Sequence, residues 1–172
     1  MIQQQISARL EKAFSMFGFT EPNVAKLRAA SGVSLRTLYR YYPSKEAMVI
    51  AALQHRHRRY MGLLIPEQAE AGPSAIMTIF KQLETWMSVD APHGCMSMSA
   101  LAAYPKNQQI IDAVKQHKQE IQTLLLELSG CEQLALQLFV LHEGVAMSWP
   151  IIGKQSTQSA QLTVQQLLGK QR

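Results

Sequence analysis

Apolar residues recur at three- and four-residue steps along nearly the whole chain and nowhere alternate for long. That spacing is the helical period, so the expected fold is all-α, with about nine helices and no strand. Ile6, Leu10, Ala13, Phe14 and Phe17 make one stripe and predict a first helix over residues 3–17, ended by Gly18. Asn23 caps a second helix over 24–30, Ser31-Gly32-Val33 is a tight turn, and Ser34 caps a third helix over 35–42. Pro43 stops the third helix, and Ser44 caps a fourth over 45–62.

The rest of the chain repeats this grammar. "IPEQAEAGPS" reads as a loop, followed by a fifth helix over 74–89 and a break at "VDAPHG". A short sixth helix covers 95–103, and Pro105 follows it. The seventh covers 106–129, with Ile110, Val114, Ile121, Leu124, Leu125 and Leu128 along one side. The eighth, 132–149, is apolar nearly all round, and the ninth spans 157–169 with Ala160, Val164, Leu167 and Leu168 on a stripe. The organisation is a small three-helix head over 1–45 and a larger helical body over 46–172.

Two short helices joined by a three-residue turn with Gly at its centre read as a helix-turn-helix. On the third helix Leu35, Leu38 and Tyr42 are expected to face the core of the head. Arg36, Thr37, Tyr39, Arg40 and Tyr41 are left for the outer faces. Those side chains suit duplex DNA. An Arg can bond two acceptors of guanine in the major groove, and a Thr methyl can touch a thymine methyl. Tyr hydroxyls and Lys45 can grip phosphates, helped by free N–H groups at helix N-termini.

Charge supports this placement. The chain carries +5 overall, but residues 1–60 hold ten Lys/Arg against three Asp/Glu, and residues 61–172 hold seven against nine. A basic first third followed by a mildly acidic remainder points to a polyanion at the head alone. No uninterrupted apolar run approaches the roughly 20 residues of a membrane span, and the first residues lack a signal-peptide core, so a cytoplasmic protein without membrane contact is expected. Cys95 and Cys131 have no metal-ligand spacing and are expected as free thiols. The run "HRHRR", residues 55–59, is expected as a solvated helix end, and His55 and His57 lack a third ligand nearby for a metal. Neither a metal nor another cofactor is expected.

The stretch "GFTEPNVAKLRAASGVSLRTLYRYYPSKEAM", residues 18–48, resembles the DNA-binding signature of TetR-family transcriptional regulators. Gly18, Phe19, Val24, Leu27, Gly32, Val33, Ser34, Leu38, Tyr39, Tyr41, Ser44, Lys45 and Glu46 match it. The resemblance implies that Asn23 stands where a Thr or Ser meets phosphate, that Arg36 and Thr37 read bases, and that Tyr39, Tyr41 and Lys45 hold the DNA backbone. With Ser34 and Arg40, these residues complete the candidate DNA-facing set. Arg28 departs from the pattern, which has a small residue there, and Ser31 replaces an Ala before the turn Gly.

The resemblance further implies a homodimer and a body that binds a small molecule, most often in a repressor. Pairing also has a basis in the residues. The eighth helix carries more apolar surface than one core face needs, and with the ninth it can form a four-helix interface. Candidate effector contacts are Trp86, Met87, Cys95, Met96, Met98, Tyr104, His117 and Met147, which suggest an apolar or aromatic ligand. Two other functional classes have some basis in the residues. His93 and Cys95 are the nominal parts of a nucleophilic enzyme, but no oxyanion site accompanies them and catalysis is not expected. A helical dimeric interaction module without sequence-specific DNA binding is the alternative to a regulator.

Overall fold

The structure, a computed structural model, describes residues 2–65 and 71–169. The described residues form nine α-helices and no strand: α1 (Ile2–Phe17), α2 (Val24–Ser31), α3 (Leu35–Tyr41), α4 (Lys45–Leu64), α5 (Pro73–Val89), α6 (Met96–Ala103), α7 (Gln108–Ser129), α8 (Glu132–Ile152) and α9 (Lys154–Gly169). Half of the break expected at "IPEQAEAGPS", residues 66–70, lies outside the described residues. The largest differences from the expected boundaries are at the α8–α9 junction, where α9 begins at Lys154 rather than at 157 and α8 outruns its expected end at 149. It continues through Pro150 and ends at Gly153, whose N–H bonds the Trp149 carbonyl at 2.8 Å. A proline near the last turn of a helix sacrifices one hydrogen bond without stopping the chain's coil.

The chain divides into two compact units, Met1–Arg59 with Met96–His117, and Tyr60–Cys95 with Lys118–Arg172. This is a division by packing. The expected division into 1–45 and 46–172 is one of role and does not coincide with it.

The first unit is built on α1 to α3, the first part of α4, α6 and the start of α7. Ile6, Leu10 and Phe14 of α1 are fully buried with Leu27 of α2, Leu38 of α3 and Met48 and Leu53 of α4. Phe14 and Phe19 stack with centroids 5.1 Å apart across the Gly18 turn. Tyr42 is buried as expected, its hydroxyl 2.8 Å from Ser7 Oγ and donating to the Gln3 carbonyl at 3.1 Å. Leu35 departs from expectation: it is 44% exposed. It is the first residue of a seven-residue helix, and only the turn holding Leu38 reaches the core.

A buried acid ties α1 to α4. Glu11 is shielded from solvent and accepts bonds from Arg59 Nη1 at 2.8 Å and Arg56 Nη1 at 3.2 Å, with His55 Nδ1 on its other oxygen. The "HRHRR" run is therefore not simply a solvated helix end. A carboxylate withdrawn from water requires cations or donors around it, and this run supplies them. His57, in the same run, stacks on His117 with ring centroids 4.1 Å apart.

The second unit packs α5, α8 and α9 with the end of α4 and most of α7. Phe80, Leu83, Leu125, Leu138 and Val164 are fully buried in its core. By length and composition α8 could cross a membrane, but one side of it is packed in this core, and Glu143 on it is ion-paired to Lys118.

Threaded through that core is a polar chain. The Tyr60 hydroxyl donates to His142 Nε2 at 2.5 Å, and His142 Nδ1 donates to Glu143 Oε1 at 3.1 Å. Lys118 Nζ donates to Glu143 Oε2 at 2.6 Å and to Cys95 Sγ at 3.4 Å. Burial depresses the His142 pKa and leaves the ring neutral, whereas burial raises that of Tyr60. For Glu143 burial acts upward but is outweighed by the His142 hydrogen bond and the Lys118 charge, so its pKa falls to about 2.

His142 and Glu143 both bind protons more readily when unfolded. Stability from the neutral His142 is lost as pH falls from 6.5 toward its depressed folded value, and that from Glu143 between 4.5 and about 2. Denaturant titrations monitored by tryptophan fluorescence should show the midpoint falling below pH 6.5 and falling again below 4.5. In Glu143→Gln the second fall should shrink.

Candidate nucleic-acid interface

The site is the α2–turn–α3 segment, and its shape comes from its caps. Asn23 sits in extended backbone and its side chain accepts from the Lys26 N–H at 2.9 Å, starting α2. Gly32 ends α2 in the left-handed region at φ 70°, its N–H reaching the Arg28 and Ala29 carbonyls. A side chain there would be strained by the backbone and would meet the Arg9 guanidinium, which donates to the Ser31 carbonyl at 2.8 Å. Ser31 is fully buried and its hydroxyl donates back to the Arg28 carbonyl at 2.8 Å. The small serine lets α2 close on its neighbours. Arg28 points to solvent, as a long cation can.

Ser34 caps α3 by accepting from the Thr37 N–H at 3.1 Å, and its hydroxyl lies 2.9 Å from Thr37 Oγ1. This cap fixes the first turn of α3 and the orientation of Thr37. Arg36 and Arg40 are one turn apart, with Tyr39 beside them, and all three are exposed. Thr37 and Tyr41 form a half-buried flank to this face. The Arg40 guanidinium lies over the Tyr41 ring at 5.0 Å, which steadies both side chains. Lys45 opens α4 and its ammonium lies 3.5 Å from the Thr20 carbonyl, beside the exposed end of the α1–α2 turn.

The eight candidate DNA-facing residues thus lie on the helix-turn-helix and the start of α4. Two of them, Asn23 and Ser34, also hold the caps. The expectation missed Leu35, which the structure puts on the same exposed end of α3 as Arg36. Its position directly after a capping serine is the signal that could have found it, since first-turn side chains need not reach the core.

The candidate effector residues do not fall together. Trp86 and Met87 belong to the core of the second unit, with Cys95 packed against it. Met96 is buried in the first unit, where Tyr104 packs against the same core and its hydroxyl donates to the Phe19 carbonyl at 3.5 Å. His117 is buried there against His57. Met98 and Met147 are exposed. Among the described residues no group of three or more His, Cys, Asp or Glu is placed to hold a metal ion.

Comparison with known proteins converges on one family. Residues 9–52 match the model for bacterial regulatory proteins of the tetR family. The chain is 32% identical over 99 residues to the HTH-type transcriptional regulator RutR of Escherichia coli strain K12. That match covers 55% of this chain and 46% of RutR, so the chain matches about half the length of that curated relative. A TetR-family transcriptional regulator from Streptomyces coelicolor superposes with a TM-score of 0.85 at 18% identity, covering 98% of this chain and 97% of that one. The reduced form of Escherichia coli NemR superposes at 0.80 and 21% identity, with 98% of each chain covered. The signature over the head and the helical fold agree: residues 9–52 match the tetR family of bacterial regulatory proteins, and the chain has the fold of TetR-family transcriptional regulators.

Proposed function

We propose that the protein is a cytoplasmic, non-enzymatic repressor that binds a palindromic operator as a homodimer and is released by a small apolar or aromatic effector. The observation that carries this reading is the α3 face: two exposed arginines one turn apart, on a helix whose first turn is fixed by the Ser34 cap. In this reading residues 1–45 read DNA, with Arg36 and Thr37 on base edges and Asn23, Tyr39, Tyr41 and Lys45 on phosphates. Ser34 holds the reading turn, and Arg40 faces the backbone beside Tyr41. Residues 46–172 pair and sense.

Pairing is supported by α8. Leu136, Val140, Met147 and Ile151 lie at steps that keep them on one side of the helix, and they are 59%, 61%, 54% and 84% exposed. Leu162 of α9 is a further large exposed apolar residue. So much exposed apolar surface on adjacent helices fits a second copy of the same chain. Two copies would offer two α3 faces to half-sites about one DNA turn, roughly 34 Å, apart. In the second unit, Trp86, Met87 and Cys95 are the residues from which effector recognition is proposed. Effector binding that favours a different body arrangement would weaken DNA binding, and DNA would weaken effector binding by the same factor.

Selection of genomic fragments with the purified protein tests the reading: recovery of an inverted repeat supports it, and recovery of no preferred sequence contradicts it. Lys45→Ala gives a second check. It should weaken binding to every sequence and reduce the slope of log K against log salt by about 1. Fluorescence anisotropy over a salt series reads both quantities, and an unchanged slope would remove Lys45 from the phosphate contacts.

A further inference from the structure

The chain passes between its two compact units three times, at Arg59–Tyr60, Cys95–Met96 and His117–Lys118. The residue on the second-unit side of each passage is Tyr60, Cys95 or Lys118. All three belong to the one polar chain described above, which runs from Tyr60 through His142 and Glu143 to Lys118 and Cys95. His142 and Glu143 are neighbours on α8, so a single turn of that helix grips Tyr60 and Lys118 directly and reaches Cys95 through Lys118.

We infer that His142 and Glu143 are positioning residues, and that this chain of bonds is the latch through which the body governs the DNA-reading head. The inference rests on the DNA-binding reading above. Two of the gripped segments are unbroken helices, α4 and α7. A helix carries a displacement of one turn along its length, so a shift at Tyr60 or Lys118 is passed to residues 45–59 and 108–117. The members are joined in series, so loss of one bond unseats those beyond it. Stability alone does not account for the arrangement, because buried ion pairs are often matched or bettered by apolar residues of similar size. A route for an effector is also present: the Trp86 ring packs 4.9 Å from the Tyr60 ring, so a ligand that moves Trp86 moves the first member of the latch.

The test uses the full chain as Glu143→Gln and Tyr60→Phe. The control is Thr157→Val, which removes the bond from Thr157 to Glu84 in the same unit and leaves the latch alone. Amide exchange is measured without DNA, and affinity is measured on the duplex recovered with the unaltered protein. Both latch variants should exchange about tenfold faster along α4 and the first half of α7, with α5 and α9 still protected. DNA affinity should fall roughly three- to thirtyfold with an unchanged salt slope, because no phosphate contact is removed. The control should show neither effect. Acceleration spread evenly through α5, α8 and α9, or none at α4 and α7, would overturn the latch, as would undiminished DNA affinity. If the unaltered protein recovers no duplex, the DNA-binding reading fails, and the exchange pattern alone still decides whether the latch holds the crossing helices.

Discussion

Replacing Arg36 by alanine is expected to flatten sequence discrimination while leaving the fold untouched. The side chain is exposed on the outer face of α3 and lies outside the packed core of its unit, so truncation creates no cavity. Its proposed contribution is recognition: a guanidinium can bond O6 and N7 of guanine together, a pairing worth about 1–3 kcal/mol against the wrong base. The preferred duplex should lose about 5- to 150-fold in affinity, and an unrelated duplex should lose little. Arg36→Lys should recover only part of the loss, since an ammonium lacks the planar fork. Competition binding with both duplexes measures the ratio. Equal losses on the two would make Arg36 a phosphate contact.

The second large effect concerns pairing. Val140→Glu together with Leu136→Glu puts charge on the exposed stripe of α8 without disturbing the protomer's core, because both side chains already face solvent. A two-fold seam would receive these carboxylates from both copies. Sedimentation should show a monomer with unchanged helix content. Operator affinity should drop by about 10²- to 10⁴-fold, because each head then binds alone without the effective concentration that the proposed dimer would supply. A double variant that still sediments as a dimer would place the interface elsewhere.

Much of this was legible in the residue pattern, and the exceptions share a cause. Helix boundaries were readable because punctuation is local: Asn23, Ser34 and Ser44 cap, and Gly18 and Gly32 end helices within a few residues of where they act. The eighth helix was expected to end at 149 but runs on through Pro150, because the cost of a proline depends on how near the helix end it falls. Leu35 was assigned to the core by period alone, but α3 is too short for its first turn to reach that core. The Glu11 clamp joins residues 44 to 48 positions apart, and the Tyr60–His142 bond spans 82. Pairings over such distances leave no trace in local spacing. The apolar girth of α8 was visible, but which side meets the core and which meets solvent is decided by α5 and α9 packing on it. The candidate DNA-facing residues stay together in the fold because they cluster within one short motif. The candidate effector residues were drawn from six stretches of chain, and the fold separates them between two units.

The central claim is that α3 enters the major groove, twice per assembly. Methylation protection at guanine N7 tests it most directly, because that atom is reached only from the major groove. On a selected duplex bound at saturation, two protected guanine clusters about one helical turn apart are predicted, both lost on replacing Arg36 by alanine. Guanines that stay fully reactive under bound protein would contradict the account.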